Sequence, residues 1–477
     1  MKSKFLLLLI VIISFINCKN SSTQNTTDSF KISNEKDINK SLIDSLMKVS
    51  YERGIFNGNI LVAKNNGIIY QNEFGYSDAS KAIKLNQNSI FNIGSIAKEF
   101  NAVAVMILKE RGLLNLDDKL SNFNLQLPEW SNTISIRHLL KYTSGLPRIN
   151  WKSIKNDKDI YADLRSIQDL QFEPGSDYLY SNNNVFLQSK IVEKVSGMSF
   201  NDFIRQNIII PSNMTHTVID PNAQNTQLVK AFNNDYVNDI PMDIELGWVS
   251  PSINDLNKWI ISLHSEELIT QESLTQLFDS YSKNSSSSLG KGLFENNELL
   301  IHQHHGSSFN YESFIHYDTK EDLSIILMTN NKNFKLREIT ESIENILNGN
   351  SFSIPQKSVY LTIRQKCYDN VNEGIELYKS LKKNYPDTYN FSNENELNRV
   401  GYKLIEKNQI EDAIKIFKLL ISEFPNSPNP YDSIAEAYHL NGNNNLALLN
   451  YKKSLELNPS NSNAKNQIKK LKKRLKN

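Results

Sequence analysis

The sequence predicts a mixed α/β sandwich followed by an all-α solenoid, and three observations carry that prediction. Two short apolar runs, Asn59–Ala63 and Gly67–Gln71, flank an Asn-Gly turn, the signature of a β-hairpin. The segment Ser95–Arg111 is apolar on nearly every face, as a helix buried all round must be. Beyond residue 358, small and aromatic residues recur at a fixed period of 34.

Each element follows in order. Leu42, Leu46 and Val49, with Ile43 and Met47, have helical spacing ahead of the hairpin. Gly112 sits where the cap of the apolar helix belongs. Ser252 precedes a run that includes Trp259, which reads as a capped helix start. Asn284–Ser288 (NSSSS) reads as a mobile surface loop, and Phe314–Tyr317 and Leu323–Met328 as late strands. Strands early and late around a helical middle predict a sheet closed by its terminal strands, spanning residues 39–349.

The period lies in five coincident pairs: Gly401 with Ala435, Leu404 with Tyr438, Ala413 with Ala447, Phe417 with Tyr451 and Pro425 with Pro459. This pattern is that of tetratricopeptide repeats, in which small residues let paired helices approach and aromatics fill the groove between pairs. Gly374, Tyr378 and Pro386 suggest a third, irregular unit starting near Ser358, which meets the need for about three units in a solenoid core. The expected span is 358–477, closed by a capping helix over Ser462–Asn477.

Charge excludes one class of partner. With 53 Lys and Arg against 52 Asp and Glu, nothing points to nucleic acid. The basic run Lys465–Lys476 reads as the solvated end of a last helix. At the other end, Lys2 and Lys4 precede the apolar run Phe5–Ile13, the layout of an export signal too short to span a bilayer comfortably. Residues 1–18 end in Phe-Ile-Asn-Cys, which resembles a bacterial lipobox with Cys18 as the lipidated residue; Asn17 stands where a smaller residue is usual. Residues 19–38 then read as a flexible tether. The expected location is outside the cytoplasm, on a membrane surface. Cys367 is left without a disulfide partner and reads as a buried helix residue.

The chemistry starts at Ser95-Ile96-Ala97-Lys98. Residues three apart share a helix face, so the Lys98 amine can approach the Ser95 hydroxyl. A helix N-terminus favours the alkoxide, and a lysine depressed by burial can act as a base. Downstream come Phe172-Glu173-Pro174-Gly175, then Tyr180-Ser181-Asn182, and later His304-His305-Gly306 followed by Ser307. Together these resemble, in order, the motifs of the class C β-lactamase and DD-peptidase family of serine hydrolases. The segment Arg137–Pro147 resembles another of its stretches, with Tyr142 in place of a histidine, and reads as structural. Smaller matches agree with the resemblance: Phe56–Asn59 with Phe74–Tyr76, and Leu246-Gly247-Trp248. Asn310 stands where the family often has glycine.

The resemblance implies Ser95 as nucleophile and Tyr180 with Lys98 as proton shuttle. It implies that Asn182 and His304 position the substrate, that Gly306 lets substrate backbone lie along the strand edge, and that the N–H of Ser307 joins that of Ser95 in an oxyanion hole. No metal or organic cofactor is required. The substrate would be a small molecule or peptide with a peptidoglycan-like amide, β-lactam or ester bond. Histidine in the third motif, mostly neutral at pH 7, leans away from a dedicated β-lactamase. Other readings stay open. His302 and His304 alternate onto one strand face, as metal ligands can, although no ligand-spaced carboxylate accompanies them. The whole chain can also be a scaffold that holds a protein partner through its repeats.

Overall fold

The computed structural model describes residues 25–151, 153–221, 228–240 and 248–474, with side chains from Asp37 onward. Cys18, Leu246 and Gly247 lie outside these residues.

The sheet is built from the two ends of the first region. β1 (Gly58–Lys64) and β2 (Gly67–Phe74) form the expected hairpin, with Asn65 and Asn66 both at positive φ in the turn. A short pair follows mid-chain, β3 (Thr217–Ile219) with β4 (Val249–Pro251). β5 (Lys291–Glu295), β6 (Glu298–Ser308), β7 (Tyr311–Asp318) and β8 (Leu323–Thr329) then complete a six-stranded antiparallel sheet in the order β2-β1-β8-β7-β6-β5. β8 pairs with β1, so the last strand closes on the first, as expected.

Alternation sorts the strand residues onto two faces. Ile60, Val62, Phe314, Ile325 and Leu327 pack with α1 (Asn25–Glu52) and with the last helix of the domain, Leu336–Leu347. Leu61, Ala63, Ile315, Ile326 and Met328 face the larger core. That core holds α2 (Lys98–Glu110), α3 (Ile136–Leu140), α4 (Asp157–Ser166), α5 (Asn182–Ser196), α6 (Phe200–Ile204), α7 (Ile253–His264) and α8 (Gln271–Phe278); the closing helix Leu336–Leu347 is α9. Gly112 takes φ +69° just past α2, and the Ser252 hydroxyl accepts the N–H of Asp255 at the start of α7.

Two expectations need correction. α1 starts at Asn25, inside the stretch read as a tether. It contains neither Gly nor Pro, and extending a helix already anchored by Ile43, Leu46 and Met47 costs far less than nucleating one. The serine run is not a mobile surface loop either: Ser285, Ser287 and Ser288 are buried. The Ser288 hydroxyl donates to the Leu140 carbonyl at 2.9 Å and its N–H to the same carbonyl at 3.1 Å, so polar side chains stand in for missing sheet bonds.

Beyond α9 the chain is helical: α10 (Val359–Asp369), α11 (Val371–Asn384), α12 (Asn395–Glu406), α13 (Ile410–Glu423), α14 (Pro428–Leu440), α15 (Asn444–Leu457) and α16 (Ser462–Arg474). Gly401 faces the Phe417 ring, and Gly374 faces Cys367, which is buried as expected. Burial pushes the Cys367 thiol up to about 12.

Candidate active site

Ser95 precedes the helix it was expected to open. Gly94–Ala97 is one turn of 3-10 helix, and α2 begins at Lys98. Residues i and i+3 eclipse in that geometry, which brings Lys98 Nζ to 3.0 Å from Ser95 Oγ. Lys98 is 3% exposed and lies between two rings, Trp248 at 5.0 Å and Tyr180 at 5.4 Å from its nitrogen.

The turn is wedged against β6. Gly94 has φ +55°, and a Cβ there would lie 2.4 Å from the Ser307 nitrogen. A Cβ on Gly306 would lie 1.9 Å from the Ile93 carbonyl oxygen, which also accepts the Ser313 hydroxyl at 2.7 Å. Gly306 therefore makes room for the turn that carries the nucleophile, a role in addition to the expected accommodation of substrate backbone. β5 pairs with β6 only as far as Gln303, so the stretch from His304 to Ser308 keeps a free edge on the Ser95 side.

Tyr180 lies in the loop entering α5, and Asn182 is the first residue of that helix. The Ser181 hydroxyl caps that helix by accepting the N–H of Asn183, and it donates to the Pro147 carbonyl at 2.6 Å. Asn183 Nδ2 donates to the same carbonyl, and the Ser144 hydroxyl to Asn184 Oδ1 at 2.6 Å. The segment Arg137–Pro147 is thus a brace, with Tyr142 at its centre. This residue has φ +56°, is fully buried, and packs its ring 4.6 Å from that of Tyr180. Burial, then the neighbouring Tyr180, holds its phenol well above the usual range, so it contributes shape without charge. Asn182 Oδ1 is buried with no hydrogen-bond partner among the described residues, and Asn182 is not among the residues that line the cleft with Tyr180.

Ser95, Tyr180, His304 and Ser307 line one cleft of about 260 Å³, with Ser286, Lys291 and Arg337 at its mouth. The structure therefore unites the nucleophile, its lysine, the tyrosine and the third motif. His305 points to the other face, 3.0 Å from Glu312. Asn310 holds Asp239 through its backbone N–H at 2.7 Å and its side chain at 2.6 Å, which anchors the turn after β6.

One functional group escaped the sequence reading. Glu99, fully buried next to Lys98, takes His304 Nδ1 at 2.7 Å and His302 Nε2 at 3.1 Å on Oε1, and Trp259 Nε1 at 2.7 Å on Oε2. Burial opposes its charge, but the two histidines outweigh burial and hold the carboxyl down at about 2. His302 Nδ1 in turn meets His264 Nε2 at 3.0 Å. These rings address one carboxylate and each other; among the described residues no three His, Cys, Asp or Glu side chains converge on a metal-sized point. The only sequence signal was a carboxylate inside an otherwise apolar helix.

The sequence model of the Beta-lactamase family matches residues 39–345. The chain is 27% identical over 352 residues to Penicillin-binding protein 4* of Bacillus subtilis, covering 66% of this chain and 77% of that one. It is 28% identical over 315 residues to Protein flp of Staphylococcus aureus, where it spans 62% of the relative's length and 60% of its own. Solved structures with the same fold include FmtA of Staphylococcus aureus (TM-score 0.57, 20% identity, 68% of this chain and 94% of that one). The penicillin binding protein of Bacillus halodurans is another (TM-score 0.56, 19% identity, 63% and 98%).

Proposed function

The chain belongs to the Beta-lactamase family, and from that premise we propose that it is a serine hydrolase working through an acyl-enzyme on Ser95. The observation that carries this reading is the 3.0 Å contact between Ser95 Oγ and Lys98 Nζ at the floor of a cleft that Tyr180 and His304 also line. Ser95 attacks the acyl carbon of an amide, β-lactam or ester, and its proton passes to the Lys98–Tyr180 pair. The N–H groups of Ser95 and Ser307 receive the oxyanion. Protonation of the leaving group from Tyr180 completes acylation, and water then releases the acyl group by the reverse sequence.

Intact-mass analysis after exposure to a fluorophosphonate or a β-lactam tests this. One adduct on the native chain and none on Ser95→Ala is the expected result. No adduct on the native chain, or equal labelling of both, overturns it.

The reading extends to location and partners. Export with lipidation at Cys18 would hold the cleft on a membrane surface facing peptidoglycan-like substrates. Metabolic labelling with an alkyne fatty acid should mark the native chain and leave Cys18→Ser unmarked. The 34-residue period supports a tetratricopeptide array over 358–477 whose partner is a protein.

A further inference from the structure

Glu99 accepts three hydrogen bonds in a space closed to water, and an ionised carboxylate can only accept. Trp259 Nε1 must therefore donate, as must His302 Nε2 and His304 Nδ1. His302 Nδ1 lies 3.0 Å from His264 Nε2, which continues the array. His304 is held from behind by Glu99. Across the ring stands Gly290 at φ +79°, where a Cβ would lie 2.7 Å from His304 Cγ. The remaining nitrogen of His304, Nε2, has no protein partner among the described residues, and the residue lines the cleft beside Ser95.

A second proton on His304 would add a cation to a wall that already holds the Lys98 amine, with Lys291 and Arg337 also lining the cleft. Burial holds its pKa below the ordinary histidine value, the Glu99 bond opposing in part.

We propose that Glu99 is a positioning residue that fixes His304 with Nδ1 protonated and Nε2 bare toward the cleft, so that the site takes acyl substrates presenting a hydrogen-bond donor there, an N–H or O–H, in place of a carboxylate. The inference rests on the serine-hydrolase reading and names the substrate class of that same site. Carboxylate-free acyl groups such as amides and hydroxy-acyl esters fit a neutral acceptor; a carboxylate would meet a lone pair and leave both groups unpaired, which is where discrimination is largest.

Two measurements on the full chain test it. Long-range 15N–1H correlation spectra at pH 7, with His304 assigned by loss of its signals in His304→Gln, should show Nδ1 protonated and Nε2 unprotonated. An Nε2-protonated ring or an imidazolium overturns the proposal. Turnover of two thioester substrates differing only in a terminal carboxamide or carboxylate should favour the carboxamide by about tenfold or more in kcat/KM, the size of one unmade hydrogen bond. Glu99→Gln should shrink that ratio mainly through KM, and His304→Lys should move it toward the carboxylate. Equal or reversed preference in the native chain overturns the proposal while fluorophosphonate labelling of Ser95 leaves the hydrolase reading intact. Loss of that labelling sinks the hydrolase reading and is read separately from the tautomer. If Glu99→Gln fails to fold, the spectrum and the native substrate pair still decide.

Discussion

At the scale of single residues, Gly306 and Gly94 set the distance between β6 and the turn that carries Ser95. An added methyl at 306 meets the Ile93 carbonyl at 1.9 Å, and neither backbone can yield without moving the nucleophile. Gly306→Ala should keep the fold, lose about 1–3 kcal/mol as an overpacked site does, and lose on the order of a hundredfold in Ser95 labelling rate. Near-native labelling kinetics would contradict that geometry. Acid should weaken the fold from the same wall. The pKa of His264 is lowered by burial to about 3 and that of His304 is lowered as well, so below about 6.5 the unfolded chain binds protons that the folded chain refuses. Glu99, held at about 2, adds its own loss as pH falls from about 4.5 toward that value. Both effects have one sign, so the urea midpoint should drop between pH 7 and pH 4; a flat profile would refute the buried array. Ser95 and Lys98 were legible because their partnership is local, three positions apart. Glu99 was not, because its partners lie 160 to 205 positions away. The function of Gly306 was hidden for the same reason: the atom it makes room for belongs to Ile93.

Among the elements, the hairpin, the apolar helix and the late strands could be read from alternation and turn chemistry, since each signals itself within a few residues. The serine run could not, because its composition is that of a loop and its burial depends on Leu140 across the domain. Helix pairs beyond α9 depend on small residues at crossings. Gly401 sits against the Phe417 ring, where a Cβ would fall 2.3 Å from Cε1, so Gly401→Ala should destabilise the C-terminal helices by about 1–3 kcal/mol. Hydrogen exchange should rise across α12 to α15 while Ser95 labelling stays unchanged. Uniform loss of protection in both regions would mean that the helices and the sheet unfold as one unit.

For the whole molecule, the segment that links the two regions is held by both apolar and polar contacts, Phe352 and Ile354 packing on the core beneath α1 and α9. Arg53 donates to the carbonyls of Ile354 and Pro355 at 3.3 and 3.0 Å, and Asn333 Nδ2 to Gly54 O beside it. Lys357, its charge disfavoured by burial, borders a cavity of about 270 Å³ with Tyr51, Tyr76 and Tyr236. Arg53→Ala should loosen this seam, seen as faster hydrogen exchange over residues 350–358, with the Ser95 adduct still forming. Faster exchange within β1 or β8 instead would place Arg53 in the stability of the sheet itself.

The closing of β8 on β1 also governs when the molecule can come into being. Gly58 waits for Thr329, and Lys64 for Leu323, so one interior pairing of the sheet joins the beginning of the domain to its end. At roughly 5–20 residues per second, a ribosome takes on the order of tens of seconds to supply the second partner after the first. Through that interval β1 and β2 exist as a hairpin with one bare apolar edge, which neither buries its faces nor resists pairing with another chain. A nascent chain halted before Leu323 should therefore remain protease-sensitive throughout, and release of β8 should convert it in a single step.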